Sequence, residues 1–416
     1  MNAITEQVLL FSGSPQIAQS VSLSSLPPLS LYVHIPWCVR KCPYCDFNSH
    51  QAKTELDDMT YVAALLADLE YELPHFWGRP IHTVFIGGGT PSLFSARAID
   101  ALLSGIRART QLLPGAEITL EANPGTFERH KFHDFAQAGV NRLSIGVQSF
   151  SDDKLRALGR IHNGHEAESA IAAALSLFDK VNVDLMYALP SQNVEAALSD
   201  MNMAIACGVS HISAYQLTME PNTAFGHTPP PNLPDDERSM DIEDAVHSRL
   251  AEAGFIHYET SAFARAQQSC QHNLNYWQFG DYVGIGAGAH GKISSATGIV
   301  RTTRSRHPKD YLAAMGHQPE HSVQRHTVTA KELPFEFMMN ALRLQEGVPS
   351  NWFAERTGLD LAAIQHPLAE AVARGLLHAD PRCLKATPLG QRFLNDLLTL
   401  FLPETLSGNL KHHKKD

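Results

Sequence analysis

Positive charge, long apolar runs and dispersed cysteines are all scarce in this chain of 416 residues. Lys and Arg number 33 against 43 Asp and Glu, a net charge of −10, whereas neutralising phosphates takes clustered cations. A protein that coats nucleic acid or an anionic membrane is therefore excluded. No stretch of about 18 apolar residues occurs, so no segment is expected to span a bilayer. The first 28 residues contain no Lys or Arg and lead to no small-residue cleavage site, which argues against a secretory signal. The expected compartment is the cytoplasm. Hydrophobic residues still make up 44% of the chain, enough for ordinary cores, and roughly 150 residues per domain sets an expectation of two to three domains.

Composition divides the chain. Residues 1–28, rich in Ser, Gln and Pro, read as a mobile leader in which Val8–Phe11 could dock on the body. Over 29–256, short β-branched or apolar runs recur at Leu31–Ile35, Ile81–Ile86, Glu117–Leu120, Arg142–Val147, Lys180–Tyr187 and His211–Leu217. Stretches of helical period separate them, for example 61–73, 95–108 and 166–178, and a helix near Asp236–Ala253 closes this part. Such alternation predicts βαβ units and a parallel sheet. Six units suit an α/β fold of the incomplete (β/α)6 barrel type, with a doubly wound open sheet as the competing architecture. In either, function sits on the loops after the carboxyl ends of the strands. Residues 257–324 look like an irregular, glycine-rich connection. Residues 325–405 read as a smaller, mostly helical, winged-helix-like domain with a short hairpin at His378–Gly390, and 406–416 as a solvated basic tail.

Three of only six cysteines fall within eight residues: Cys38, Cys42 and Cys45. They follow the first predicted strand as Cys-x3-Cys-x2-Cys. A zinc site wants four N or S ligands. Three thiolates instead suit three corners of a [4Fe–4S] cube, leaving one iron open to chelate the amino and carboxylate groups of S-adenosylmethionine. Two alternatives stand beside this one: a thioredoxin-like pair at Cys42 and Cys45, and a zinc site completed by His34 or His50. After the second strand, Gly87, Gly88 and Gly89 permit close backbone approach to a ligand. Thr90 is placed to cap the next helix and Pro91 fits its first turn. Glu121, Gln148 and Asp184 are expected at the carboxyl ends of the third, fourth and fifth strands, able to share hydrogen bonds with ribose hydroxyls. Arg160 offers a guanidinium for a carboxylate.

Taken in order, YVHIPWC, CPYCDF, FIGGGTPS, EANPGT, GVQSF, LGRIHNGH and VDLMYALP resemble the radical S-adenosylmethionine superfamily, and within it the oxygen-independent coproporphyrinogen III oxidase group. The resemblance runs from about Leu31 into the C-terminal domain. It implies a cluster on Cys38, Cys42 and Cys45, with cofactor contacts from Gly88, Gly89, Thr90, Glu121, Gln148, Arg160, Asp184, Tyr32 and Tyr44.

Two features select a branch. The oxidases carry a further cysteine two residues after the third; here that position is Phe47, and the leader lacks their tyrosine-rich motif. His272-Asn273-Leu274-Asn275-Tyr276-Trp277 resembles the signature of the HemW-type haem chaperones, the sister branch. An imidazole is a common haem ligand, and Tyr276 and Trp277 offer flat surface for a porphyrin. That branch implies haem as cargo, His272 as a candidate contact, Cys270 as a weaker one, and acceptor haemoproteins, respiratory ones among them, as partners. It implies no transmembrane segment, at most peripheral membrane contact, and a monomer or a haem-linked homodimer. The rival is the decarboxylating oxidase itself. Gly286–Gly291 spells G-x-G-x-x-G, but no helical pattern follows it, so a dinucleotide site is not expected; a glycine-rich turn beside the cofactor is. His290 within it, His162 and His165, and the terminal His412 and His413 read as structural or surface histidines.

Overall fold

The computed structural model describes residue 21 and residues 23–52, 56–125 and 130–403. The Val8–Phe11 segment and the 406–416 tail lie outside these. Six parallel strands run in chain order: β1 (Leu29–Ile35), β2 (Pro80–Gly88), β3 (Gln111–Ala122), β4 (Arg142–Gln148), β5 (Lys180–Tyr187) and β6 (His211–Gln216). Each pairs with the next in parallel register. The helices between them are α1 (Asp58–Phe76), α2 (Ala96–Arg109), α3 (Phe132–Ala138), α4 (Gly164–Leu175) and α5 (Val194–Cys207), and α6 (Asp236–Glu252) follows β6. This is the (β/α)6 incomplete barrel that the alternating periods predict.

Local chemistry explains where the helices begin and end. Asp57, Ser95, Asn193 and Asp235 accept backbone N–H bonds at the starts of α1, α2, α5 and α6, satisfying amides with no partner inside the helix. Asn163 and Glu166 form a reciprocal capping box on α4. Gly139 ends α3 in the left-handed region at φ 105°. The helix-facing sides of the strands, including Leu31, Val33, Val84, Ile86, Leu120, Ile145 and Val183, join α1 to α6 in one buried core.

Residues 257–310 are not irregular. The sheet continues past both edges of the barrel. On the β6 side it gains β7 (Ile256–Glu259) and β8 (Ala262–Ala264), antiparallel. On the β1 side come β9 (Asp281–Ile285), parallel to β1, then β10 (His290–Ser295), β11 (Gly298–Arg304) and β12 (Val323–Thr327), antiparallel. The helix α7 (Gln271–Trp277) joins the two extensions. These strands carry polar and glycine residues, which is why periodicity hides them.

A second core gathers α8 (Leu333–Ala341), α9 (Asn351–Thr357), α10 (Gln365–Ala373) and α11 (Leu394–Thr399) with Phe279 and Ile299. Cys383–Leu384 pairs with Val348–Pro349, and Leu377 bridges Ala386, so the expected hairpin is shared with a more distant segment. The end of the stretch read as a leader is tied down: Leu23 is buried in the second core, and the Pro27 and Pro28 carbonyls accept from Arg79 and from the Asp281 amide.

Two buried ion networks bind the sheet extension to the barrel. Arg304 of β11 reaches Asp68 at 2.9 Å and Glu72 at 2.8 Å, both on α1, and Tyr311 donates to Asp68 at 2.9 Å. Asp281 of β9 takes Lys292 at 2.8 Å and Arg79 at 2.8 Å. Removing one member of such a group strands a buried charge. Arg304→Met is therefore expected to lower unfolding stability by about 3–5 kcal/mol. Arg325→Met, which removes a partly exposed partner of Glu72, should lose much less in the same urea titration.

Candidate functional site

The site forms where β1 runs into the cysteine loop. A two-residue parallel pair, Trp37–Cys38 with His50–Gln51, closes that loop on itself. The turn after β2 clamps it: Gly89 N–H donates to the Ile35 carbonyl at 2.7 Å, and Thr90 N–H to the Trp37 carbonyl at 2.7 Å. A Cβ on Gly88 would fall 2.5 Å from the His34 ring, and one on Gly89 2.5 Å from the Trp37 carbonyl oxygen. The close approach these glycines permit is thus first an approach to the cysteine loop itself. Thr90 does occupy an N-cap position, but of a short 3-10 turn, Pro91–Leu93, and its side chain does not cap it. Its hydroxyl accepts from Asn123 Nδ2 at 3.0 Å instead.

Cys38, Cys42 and Cys45 are free, half-buried thiols. Burial pushes the Cys38 and Cys45 thiols up, and the neighbouring Cys42 adds to this in both. Such a set ionises fully when a cation arrives, since metal binding displaces the protons. The histidines that could complete a zinc site are engaged elsewhere. His34 Nε2 donates to the Asn48 carbonyl at 2.9 Å while Tyr32 Oη lies 2.9 Å from its Nδ1, and His50 Nε2 donates to the Arg306 carbonyl at 3.3 Å.

Arg160 binds the loop to the barrel. It donates to Cys42 Sγ at 3.5 Å, to Asn123 Oδ1 at 2.8 Å and to the Gly146 carbonyl at 2.6 Å. Its Nε is buried with no hydrogen-bond partner among the described residues, an opening that a ligand carboxylate would fill. Glu121, near the end of β3, accepts the Gly88 amide at 3.0 Å. Gln148 ends β4 in the left-handed region at φ 71° and accepts the Tyr215 hydroxyl at 3.3 Å. Asp200 fixes the following turn through Ser149 at 2.7 Å and the Phe150 amide at 2.8 Å. Asp184 is not at a strand end but inside β5, where Asn182 donates to it at 2.7 Å. Tyr32 stacks near Phe85, and Tyr44 packs beside Phe225.

Burial pushes the Glu121 carboxyl up to about 7, with Asp184 nearby adding to the effect and the Gly88 amide opposing it. Asp184 is raised too, by burial. Two carboxyls with raised proton affinity, Glu121 and Asp184, and the Arg160 guanidinium are thus among the ionisable groups that line the site. Sequence reasoning missed Asn123 and Tyr215. Asn123 stands inside the EANPGT motif, and Tyr215 lies near the carboxyl end of β6, so the strand-end rule applied to β6 would have found it.

The HNxxYW motif lies within the 257–324 stretch, as expected, and forms a helix there. His272 is on the seven-residue α7 and is buried. Thr83 Oγ1, which donates to Ser30, lies 2.8 Å from its Nδ1, and the Tyr276 hydroxyl lies 3.0 Å from its Nε2. Both ring nitrogens are taken, so in this packing neither is open to iron. Cys270 is likewise buried. Tyr276 and Trp277, in contrast, do face a cavity.

Comparison with known proteins bears on this geometry. The Radical SAM superfamily pattern matches residues 32–204, and the HemN C-terminal domain pattern matches 328–393. Heme chaperone HemW of Escherichia coli (strain K12) is 51% identical over 381 residues, covering 91% of this chain and 99% of that one. The chain belongs to the HemW family of radical SAM proteins. HemW of Haemophilus influenzae is 48% identical, covering 92% and 100% of the two chains, and HemW of Bacillus subtilis 33%, covering 90% and 99%. The solved structure of coproporphyrinogen III oxidase HemN from Escherichia coli superposes with TM-score 0.77 at 22% identity, covering 95% of this chain and 92% of that one; it supports the fold. Among the described residues no helix is long and apolar enough to cross a membrane.

The raised Glu121 carboxyl has a thermodynamic consequence. Its proton is held more tightly in the folded state than in the unfolded one, where about 4.3 is usual. The folded state therefore binds the extra proton between those values, and ligand-free stability falls as pH rises from about 5 to 8, by up to about 3 kcal/mol. Urea denaturation across that window should show the slope, and Glu121→Gln should flatten it; a variant with the unchanged slope places the titration elsewhere.

Proposed function

We propose that this protein is a haem chaperone that holds a [4Fe–4S] cluster and S-adenosylmethionine at the cysteine loop and delivers haem to acceptor haemoproteins, respiratory ones among them. The observation that carries the reading is similarity at 51% identity, over nearly the full length, to a protein named heme chaperone. Phe47, where the oxidases have their further cysteine, points the same way. The rival, oxidative decarboxylation of coproporphyrinogen III, rests on a fold that both branches share.

In this reading Cys38, Cys42 and Cys45 ligate the cluster. Such a group, with one open iron, supplies one-electron reduction of a sulfonium. Arg160 takes the methionine carboxylate on its unpartnered Nε. Glu121, Gln148 and Asp184 receive ribose hydroxyls and the amino group. Gly88, Gly89 and Thr90 hold the loop against β2, while Tyr32 and Tyr44 close the flanks. The protein works in the cytoplasm as one chain or as two joined through haem. It meets a membrane only peripherally, through its acceptor.

Anaerobic reconstitution followed by haem titration tests this. Wild type is expected to bind about four iron and four sulfide per chain, to take up haem stoichiometrically, and to leave coproporphyrinogen unconverted. Cys38→Ala should lose the cluster. Catalytic formation of protoporphyrinogen would replace the chaperone reading with the oxidase one.

A further inference from the structure

Between the cysteine loop and the sheet extension lies a cavity of about 790 Å3, within the range of about 300–1,000 Å3 typical of sites for small molecules and cofactors. Its walls carry the rings of Tyr32, Phe47, Tyr276, Trp277 and Tyr282. Phe47 is 63% exposed, a large apolar ring left in water at the cavity's edge. The lining also holds two imidazoles and an unpaired cation. His34 has both nitrogens engaged. His290, on the first residue of β10, is exposed, and its ring makes no hydrogen bond to a described residue. The Arg306 guanidinium is exposed and likewise without an ion pair or hydrogen bond among the described residues. Asp46 is the exposed carboxylate of the lining.

Flat aromatic walls, one free imidazole and one free guanidinium are complementary to a single ligand class: an iron porphyrin bearing carboxylate side chains. Resting on the haem-chaperone reading, we propose that haem binds in this cavity, with His290 as the axial ligand and Arg306 on a propionate, and that His272 is a positioning residue. His272 holds the Tyr276 hydroxyl at 3.0 Å. Tyr276 stands edge-on to Tyr282 with ring centroids 4.4 Å apart, so the buried histidine sets the angle of the aromatic wall. Burial and the neighbouring Arg301, Arg306 and Arg304 also push the His290 imidazole down, which keeps it in the neutral form that ligates metal.

The test uses the anaerobically reconstituted full chain, titrated with ferric haem and with metal-free protoporphyrin IX, with cluster iron and S-adenosylmethionine binding measured as fold controls. His290→Ala is expected to lose the Soret signature of histidine-ligated iron and about tenfold in haem affinity, to bind metal-free porphyrin as wild type does, and to regain the signature on adding imidazole. Arg306→Gln is expected to weaken both porphyrins by about tenfold, the loss of one charge-assisted hydrogen bond. His272→Gln should keep the histidine-ligated spectrum. If wild type binds haem and His290→Ala shows the same spectrum and affinity, the assignment is overturned while the chaperone reading stands. Loss of the signature in His272→Gln but not in His290→Ala overturns it too. A wild type that takes up no haem overturns both.

Discussion

The cysteine loop stays in place because glycine surrounds it on two sides. On one side, Gly88 and Gly89 let the end of β2 sit directly on His34 and Trp37. On the other, the Gly286–Gly291 turn does the same: a Cβ on Gly286 would lie 2.3 Å from the His34 carbonyl oxygen, and one on Gly288 2.2 Å from Asn48 Nδ2. Asn48 closes the seam by donating to the Ala287 and Arg306 carbonyls at 2.9 and 2.8 Å. A loop with no regular structure of its own is ordinarily mobile. Here it is clasped between two neighbouring strands by close backbone packing and by the hydrogen bonds of Asn48. The same clasp puts one wall of the aromatic cavity on the cysteine loop.

Charge around the loop is arranged against ionisation without a partner. Three thiols, Glu121 and Asp184 are buried to differing degrees around this loop, and Arg160 reaches Cys42 and acts on Asp184. Burial of a charge without a partner costs several kcal/mol, and the outcome is seen in the carboxyls, which keep their protons to higher pH. A zwitterionic ligand answers both needs at once: its cationic groups suit the carboxyls, and its carboxylate suits Arg160 Nε. On the proposed reading, the site therefore selects for charge distribution as well as shape.

Much of this was legible in the residues alone. β-Branched runs alternating with helical periods are unambiguous where strands are buried on both faces, and β5 was delimited correctly at both ends. The strand-end rule points to Glu121 and Gln148, and the guanidinium chemistry of Arg160 in the segment after β4 points to the third. What periodicity could not reveal were interactions that depend on three dimensions. The β9–β12 extension is held by Asp281, Lys292 and Arg304, whose side chains in a sequence read as surface charge but are fully buried and paired. Thr90 looked like a cap because its neighbours fit a helix start, yet Asn123 competes for its hydroxyl. Asp184 stood out by residue type, but its depth inside β5 is set by register.

The two histidines differ in what their rings touch. His272 stands in the conspicuous motif, but Thr83 and Tyr276 occupy both of its nitrogens, and burial pushes its imidazole down to about 3. Freeing it for iron would strand the buried Tyr276 hydroxyl, at a cost of about 1–3 kcal/mol, while Thr83 would keep its bond to Ser30. His290 stands in a sequence that mimics a dinucleotide fingerprint, yet its ring lies beside the aromatic wall and makes no hydrogen bond to a described residue. On the proposed haem-chaperone reading, bound haem must also be released. Affinity built from flat aromatic contact and one exposed imidazole can be broken stepwise by an acceptor that offers a stronger ligand from the open side, whereas a ligand sealed within the core would require the core to open first. The exposed position of His290 and Arg306 is thus a property that delivery, rather than retention, demands.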